Sequence, residues 1–165
     1  MNDKEIFLSI WEREAKTTAR VMRAFPAENL ECKPHERSRS IRDLAWQCAI
    51  DERVIEKILE GSNDLRNVPP NPPPPESMEE IAVAYEDAHR TAAEKLRRPE
   101  TAFSKTVTVI MRGGSIELEQ AETIWGNLLD QVHHRGQLTV YLRLLGGKVP
   151  SIYGPSGDEA MRFAR

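Results

Sequence analysis

Apolar residues recur every three or four positions in four long stretches of this chain, which is the spacing of amphipathic helices. The stretches cover residues 4–25, the segment between Ser40 and Gly61, the segment from Met78 to just before Pro99, and about residues 120–145. Because such helices bury their apolar faces against one another, four of them in 165 residues predict an all-α four-helix bundle. A chain of this size is most simply one domain, here residues 1–165.

Local signals mark the ends of the two middle helices. Ser40 is followed three residues later by Asp43, and Ser77 by Glu80, which are patterns typical of helix N-terminal capping boxes. Gly61 suits the position just after a helix, where the backbone often takes a left-handed conformation. These signals predict where the second helix begins and ends and where the third helix begins.

The connections also have distinctive compositions. The segment NVPPNPPPPES holds six prolines between Asn67 and Ser77, which predicts a long extended crossover. Apolar and polar residues alternate on both sides of RGG in KTVTVIMRGGSIELE, which predicts a short extended, hairpin-like segment before the last long helix. Pro150 and Pro155 restrict the C-terminal tail PSIYGPSGDE, so we expect a packed strap rather than a flexible end.

Composition excludes several classes of function. The 23 basic and 26 acidic residues are interspersed, so no basic stripe for nucleic acid is present. No apolar run approaches the roughly 20 residues needed to span a membrane. Only two cysteines, Cys32 and Cys48, occur, and the N-terminus lacks a signal-peptide pattern, so a cytoplasmic protein is expected. A small-molecule substrate or a protein partner fits this composition best.

The fourth helix carries the residues of chemical interest. Asp130 and His134 lie four positions apart and Tyr141 follows on the same side, so the first two can share one cation. Two ligands are one short of the three usual in an open catalytic site. The alternative to a shared cation is that Asp130 and His134 form only a surface pair. Arg135 is a candidate to bind a substrate carboxylate, because a guanidinium matches carboxylate geometry. Arg135 and Tyr141 are therefore the candidate catalytic residues.

The segments HHRGQLTVYLRLLGGKVPSIYGPSGDE, KPHERSRSIRDLAWQCAIDERV and RGGS together resemble the DinB family, and the likeness runs through essentially the whole chain. The resemblance implies a bundle that binds a divalent metal, often zinc or nickel, through three histidines. One of these lies on the second helix, and the other two form an H-x-x-x-H pair on the fourth. It also implies homodimers, and metal-dependent S-transferases or isomerases that use a low-molecular-weight thiol such as bacillithiol or mycothiol.

Carried over onto this sequence, the three metal positions fall on Gln47, Asp130 and His134. Only His134 keeps the imidazole, so the site is degenerate and harder in its chemistry than three histidines. Zinc, nickel, manganese or iron are the candidate ions, and complete loss of the metal is the alternative.

Two main hypotheses about function follow. The first is a metal-dependent thiol S-transferase in which Gln47, Asp130 and His134 hold the ion and Arg135 or Tyr141 orients the substrate. The second is a non-catalytic, metal-free small-molecule-binding or interaction protein, in which the same residues form a hydrogen-bond cluster. A third is that the cluster only packs and the chain acts through dimerisation.

Overall fold

The structure, a computed structural model, describes residues 2–64, 72–99, 101, 103–111 and 113–159. It contains four long helices, α1 (Asp3–Arg23), α2 (Ile41–Leu59), α3 (Met78–Arg97) and α4 (Gln120–Leu144). Helix α1 packs on α3 and α4, and α2 packs on the same two helices, so the predicted four-helix bundle is confirmed. None of the helices in the described ranges is long and apolar enough to cross a membrane.

The predicted helix ends are confirmed in their hydrogen bonds. The Ser40 side chain accepts a hydrogen bond from the backbone N–H of Asp43 at the start of α2. At the start of α3, Ser77 and Glu80 form both bonds of a capping box. Gly61 follows α2 with a φ of +93°, a conformation that residues with a side chain rarely adopt. Local sequence therefore determines where these helices begin and end.

A small sheet closes one end of the bundle. Strands β2 (Thr106–Met111) and β3 (Gly114–Glu119) pair antiparallel, as the hairpin-like pattern predicts. A third strand, β1 (Ser62–Asp64), pairs parallel with β2 and was not predicted, because three residues show no alternation. The proline-rich crossover lies partly outside the described residues, and its described part, residues 72–75, has no regular secondary structure.

The bundle interior consists of two apolar clusters. One, at the hairpin end, is built around Phe7, Trp11 and Ile124, and the other, at the tail end, around Met22 and Leu44. Near the level where they meet, every helix contributes buried or half-buried polar side chains. These are Glu14 and Thr18 on α1, Asp51 and Glu52 on α2, His89 on α3, and Gln131, His134 and Arg135 on α4. We call this set the polar layer.

The C-terminal tail packs against the bundle, as predicted. Val149 and Ile152 are partly buried against the apolar cluster at the tail end. Asp158 accepts a hydrogen bond of 2.9 Å from the Val149 N–H and pairs with the Arg143 guanidinium at 2.6 Å. The tail is therefore held both by apolar packing and by ionic contacts as far as residue 159.

Candidate metal centre

The polar layer reaches the surface between α2 and α4. There Asp51, Asp130 and His134 each place one potential ligand atom within 4.8 Å of the other two. Asp51 is 5% exposed, whereas the side chains of His134 and Asp130 are 14% and 56% exposed. The cluster therefore has a buried carboxylate at its base and an exposed carboxylate at its mouth. Its residues come from two packed helices, so the helix interface sets its geometry.

Asp51 has fewer hydrogen bonds than a buried carboxylate requires. Its Oδ1 accepts a hydrogen bond of 2.7 Å from Gln47 Nε2, while its Oδ2 is buried with no hydrogen-bond partner among the described residues. Burial raises the pKa of Asp51 to about 7, the bond from Gln47 opposes this rise, and the Asp130 charge adds to it. Within the described ranges, Asp51 is therefore a buried acid with no basic group in contact, and the Arg39 charge acts on its pKa only as a minor opposing effect.

His134 is held in the form that binds metals. Burial lowers the pKa of its imidazole, and the nearby charge of Asp130 only partly opposes the effect. His134 Nε2 lies 3.5 Å from Asp130 Oδ2. Its Nδ1 is buried and makes no hydrogen bond within the described part of the chain. A neutral imidazole is the state in which histidine ligates metals.

A divalent cation fits these donors. Ligand atoms of a common ion lie about 2.0–2.2 Å from it, so the three side chains would have to close inward by only about 1 Å. The ion would place a positive charge in direct contact with Asp51 and occupy the oxygen that has no partner among the described residues. Two carboxylates and one imidazole form a harder set than three histidines, which favours manganese, iron or zinc. Three protein ligands leave a coordination position open to a substrate.

Gln47 takes a supporting position in this cluster. Its Nε2 donates to Asp51, and its Oε1 accepts a hydrogen bond of 2.9 Å from Arg39. The predicted role of Gln47 as a ligand stays a prediction, while the structure adds Asp51 as a third ionisable donor. Asp51 lies four residues after Gln47 and so on the same face of α2, which is the signal that could have found it.

Arg135 faces the opposite side of the layer, towards α1. It is 1% exposed, and its Nη2 donates to Glu14 Oε2 and to the Tyr153 hydroxyl, each at 2.6 Å. Its Nη1 donates to Thr18 and to the Glu14 carbonyl, each at 3.2 Å. The predicted substrate role of Arg135 gains no support from this position, because its terminal nitrogens already bind protein. Its partners Glu14 and Thr18 are buried as well.

Tyr141 and His89 are both half-buried, in different parts of the bundle. Tyr141 is half-buried against the apolar cluster at the tail end, and its predicted catalytic role stays a prediction. The ring of His89 packs edge-to-face against Trp11, with the ring centroids 4.3 Å apart. Its Nδ1 lies 3.4 Å from Oε1 of Glu52, which is fully buried. These contacts link α1, α2 and α3 within the polar layer.

Known proteins share this arrangement of helices. The sequence model of the DinB family matches residues 1–161. The chain is 27% identical to the uncharacterised protein YrdA of Bacillus subtilis over 159 residues, which are 95% of this chain and 92% of that protein. A solved DinB-like protein from Bacillus cereus superposes with a TM-score of 0.74 at 23% identity, covering 90% of this chain and 97% of the other. For the DinB-like protein YjoA of B. subtilis the TM-score is 0.67 at 16% identity, covering 88% and 96%. The chain belongs to the DinB family.

Proposed function

We propose that this protein binds a divalent cation through Asp51, Asp130 and His134 and uses it to transfer a low-molecular-weight thiol to an electrophile. The observation that carries the metal site is the cluster of three donor atoms within 4.8 Å, in which the Asp51 Oδ2 is buried and has no hydrogen-bond partner in the part of the chain that the structure describes. The thiol chemistry is supported by the family resemblance, which implies S-transferases among the characterised relatives.

Each side chain has a distinct task in this proposal. A bound divalent cation would lower the pKa of a thiol at its open position and so supply a thiolate at neutral pH. Asp51 anchors the site from the bundle interior, and Gln47 orients Asp51 through its 2.7 Å hydrogen bond. Asp130 completes the donor set at the exposed side, where the proton that the thiol loses is released to solvent. The new S–C bond forms as the leaving group departs with its electron pair.

A second candidate is a metal-free pocket that binds a small molecule. The hydrogen-bond chain from Arg39 through Gln47 to Asp51 favours it, because this chain satisfies one Asp51 oxygen without an ion. The two candidates predict different metal contents for the same purified protein.

Metal analysis separates them. We expect tag-free protein, purified without chelator and offered zinc, nickel, manganese and iron in turn at pH 8, to bind about one equivalent by plasma mass spectrometry. His134→Ala and Asp51→Asn should abolish stoichiometric binding. His133→Ala is the matched control, because His133 is adjacent on α4 but pairs with Gln137 at 3.1 Å instead of joining the cluster.

Two outcomes would contradict the metal site. One is wild-type protein that takes up none of the four ions, and the other is metal that persists in both His134→Ala and Asp51→Asn. If the ion binds, the loaded protein should accelerate the reaction of a simple thiol with a chromogenic aryl chloride, in which the sulfur replaces chloride and the thiol proton is released. A loaded protein that gives no acceleration with any thiol would overturn the transferase activity but leave the metal site.

A further inference from the structure

Arg39 stands beside the metal cluster without belonging to it. It directly precedes Ser40, the N-cap of α2, so its backbone is fixed by the start of that helix. Its side chain is exposed, and its Nη1 donates to Gln47 Oε1 at 2.9 Å. Gln47 in turn donates to Asp51. Two hydrogen bonds therefore connect the Arg39 guanidinium to the buried carboxylate of the site.

We propose that Arg39 binds a carboxylate of the substrate, so that the site takes a carboxylate-bearing thiol in preference to a neutral one. This inference rests on the proposed function, since it assigns the substrate class of the same site. Among the described residues, the Nε and Nη2 of Arg39 have no hydrogen-bond partner, and Nη1 is held only by a neutral amide. A guanidinium presents paired N–H groups in the geometry that a carboxylate accepts.

Charge at the site supports the same substrate class. Asp51 and Asp130, when ionised, carry together the charge that one divalent cation neutralises. With the ion bound, the Arg39 guanidinium would add a positive charge that these two carboxylates do not neutralise. Arg42, near the start of α2, is by contrast already paired, with Glu31 at 2.6 Å and with Glu76 at 2.9 Å. Arg39 has no acidic partner in the described ranges, so an anionic ligand would be its first.

The test compares two thiols of nearly equal shape. 3-Mercaptopropionate and 3-mercaptopropionamide differ in one charge, and each is titrated into cobalt-loaded full-length protein while the visible absorption of the cobalt is followed. We expect wild type to bind the carboxylate thiol about tenfold more tightly than the amide, as one hydrogen bond to a charged group predicts. Arg39→Gln should bring this ratio close to one, and Arg39→Lys should leave an intermediate ratio.

Arg37→Gln is the matched control, because Arg37 is also exposed, lies two residues earlier, and its side chain takes part in no hydrogen bond of the described structure. This variant should keep the wild-type ratio. Cobalt that binds normally but gives the same ratio in wild type and Arg39→Gln would overturn the role of Arg39 and leave the metal site intact. Failure to bind cobalt or any of zinc, nickel, manganese and iron would overturn the proposed function and this inference together.

Discussion

His134 and Arg135 are neighbours on α4, yet they belong to two polar clusters of opposite character. On the α1 side, the charges of Arg135 and Glu14 meet at 2.6 Å, and Thr18 and Tyr153 add further hydrogen bonds. On the α2 side, Asp51 and His134 each keep a buried polar atom without a partner in the described structure. Both clusters lie at one level of one bundle, so the difference is in how completely their groups are satisfied.

This difference separates a structural role from a binding role. A buried charge that lacks a partner destabilises a fold. When a buried charge is paired, a strong destabilisation arises only if its partner is removed. The Arg135 cluster is complete within the chain and needs nothing from outside. The Asp51 cluster is incomplete, and a cation is the group that would complete it. Mutations can therefore test the comparison through stability as well as through metal content.

The largest effect is expected from breaking the complete cluster. Arg135→Met removes the close cation and leaves the buried Glu14 carboxylate with only the exposed Arg13, whose Nε lies 4.0 Å from Glu14 Oε1, as a counter-charge. We expect the free energy of unfolding to fall by about 3–5 kcal/mol, measured by urea denaturation. The control is the addition of Glu14→Gln to the Arg135→Met variant, because it removes the negative charge that Arg135→Met leaves without its close partner.

The double variant, Glu14→Gln with Arg135→Met, should therefore recover part of the loss. Two outcomes would show that Arg135 and Glu14 do not form a stabilising ion pair. One is an Arg135→Met variant as stable as wild type, and the other is a double variant whose loss of stability equals the sum of the losses of the two single variants. Loss of metal binding in a folded Arg135→Met variant would show instead that the two clusters are not separate.

The next largest effect is expected in the incomplete cluster, where Asp51 should make the stability of the metal-free protein depend on pH. The pKa of Asp51 is raised from its ordinary 3.8 to about 7, so the metal-free native state holds this proton more tightly than the unfolded chain. The contribution of the protonated Asp51 to the free energy of unfolding is fully present below about pH 4 and declines as the pH rises to about 7. Above that pH the contribution no longer changes. At pH 8, metal-free Asp51→Asn should therefore be more stable than wild type, by up to about 4 kcal/mol.

This advantage should shrink by more than half between pH 8 and pH 5, as followed by urea denaturation in chelator. Saturating metal should reverse the order at pH 8, because only wild type gains binding free energy. An Asp51→Asn variant that is less stable than metal-free wild type at every pH would mean that the Asp51 charge is already compensated.

The smallest effect is expected where the tail joins the complete cluster. Tyr153 accepts a hydrogen bond from Arg135 and donates one of 2.8 Å to Glu14, but much of its ring is exposed. Tyr153→Phe should therefore lower the free energy of unfolding by about 1 kcal/mol. Arg143→Gln, which breaks the exposed pair with Asp158, should have a smaller effect because solvent screens that pair. The reverse order would indicate that the surface pair, and not the buried network, holds the tail.

Much of the fold could be predicted because its signals are local. The positions of Ser40, Ser77 and Gly61 mark helix ends through bonds that span only a few residues, and each is confirmed. The helical spacing of apolar residues is likewise a property of each segment alone. Strand β1 was missed because its pairing with β2 joins residues more than forty positions apart in the chain.

The candidate site was only half predictable for the same reason. Asp130 and His134 share a helix, so their proximity follows from helical geometry. Which residue of α2 faces them depends on how α2 and α4 are rotated against each other. That rotation brings Asp51 to the cluster, with Gln47 as its hydrogen-bond partner. Similarly, burial of Glu14 depends on its meeting Arg135, which is 121 positions away in the chain.

The sequence by itself determined the four helices, their caps, the family and the pairing of Asp130 with His134, because each depends on short-range spacing or on motifs read along the chain. Only the tertiary structure decided which polar groups are satisfied. Helix packing gave Arg135 an acidic partner and left Asp51 without a basic one in the described structure, and a side chain's partners across the bundle are not encoded in its own neighbourhood. That division between satisfied and unsatisfied groups is what separates the stabilising cluster from the candidate metal centre.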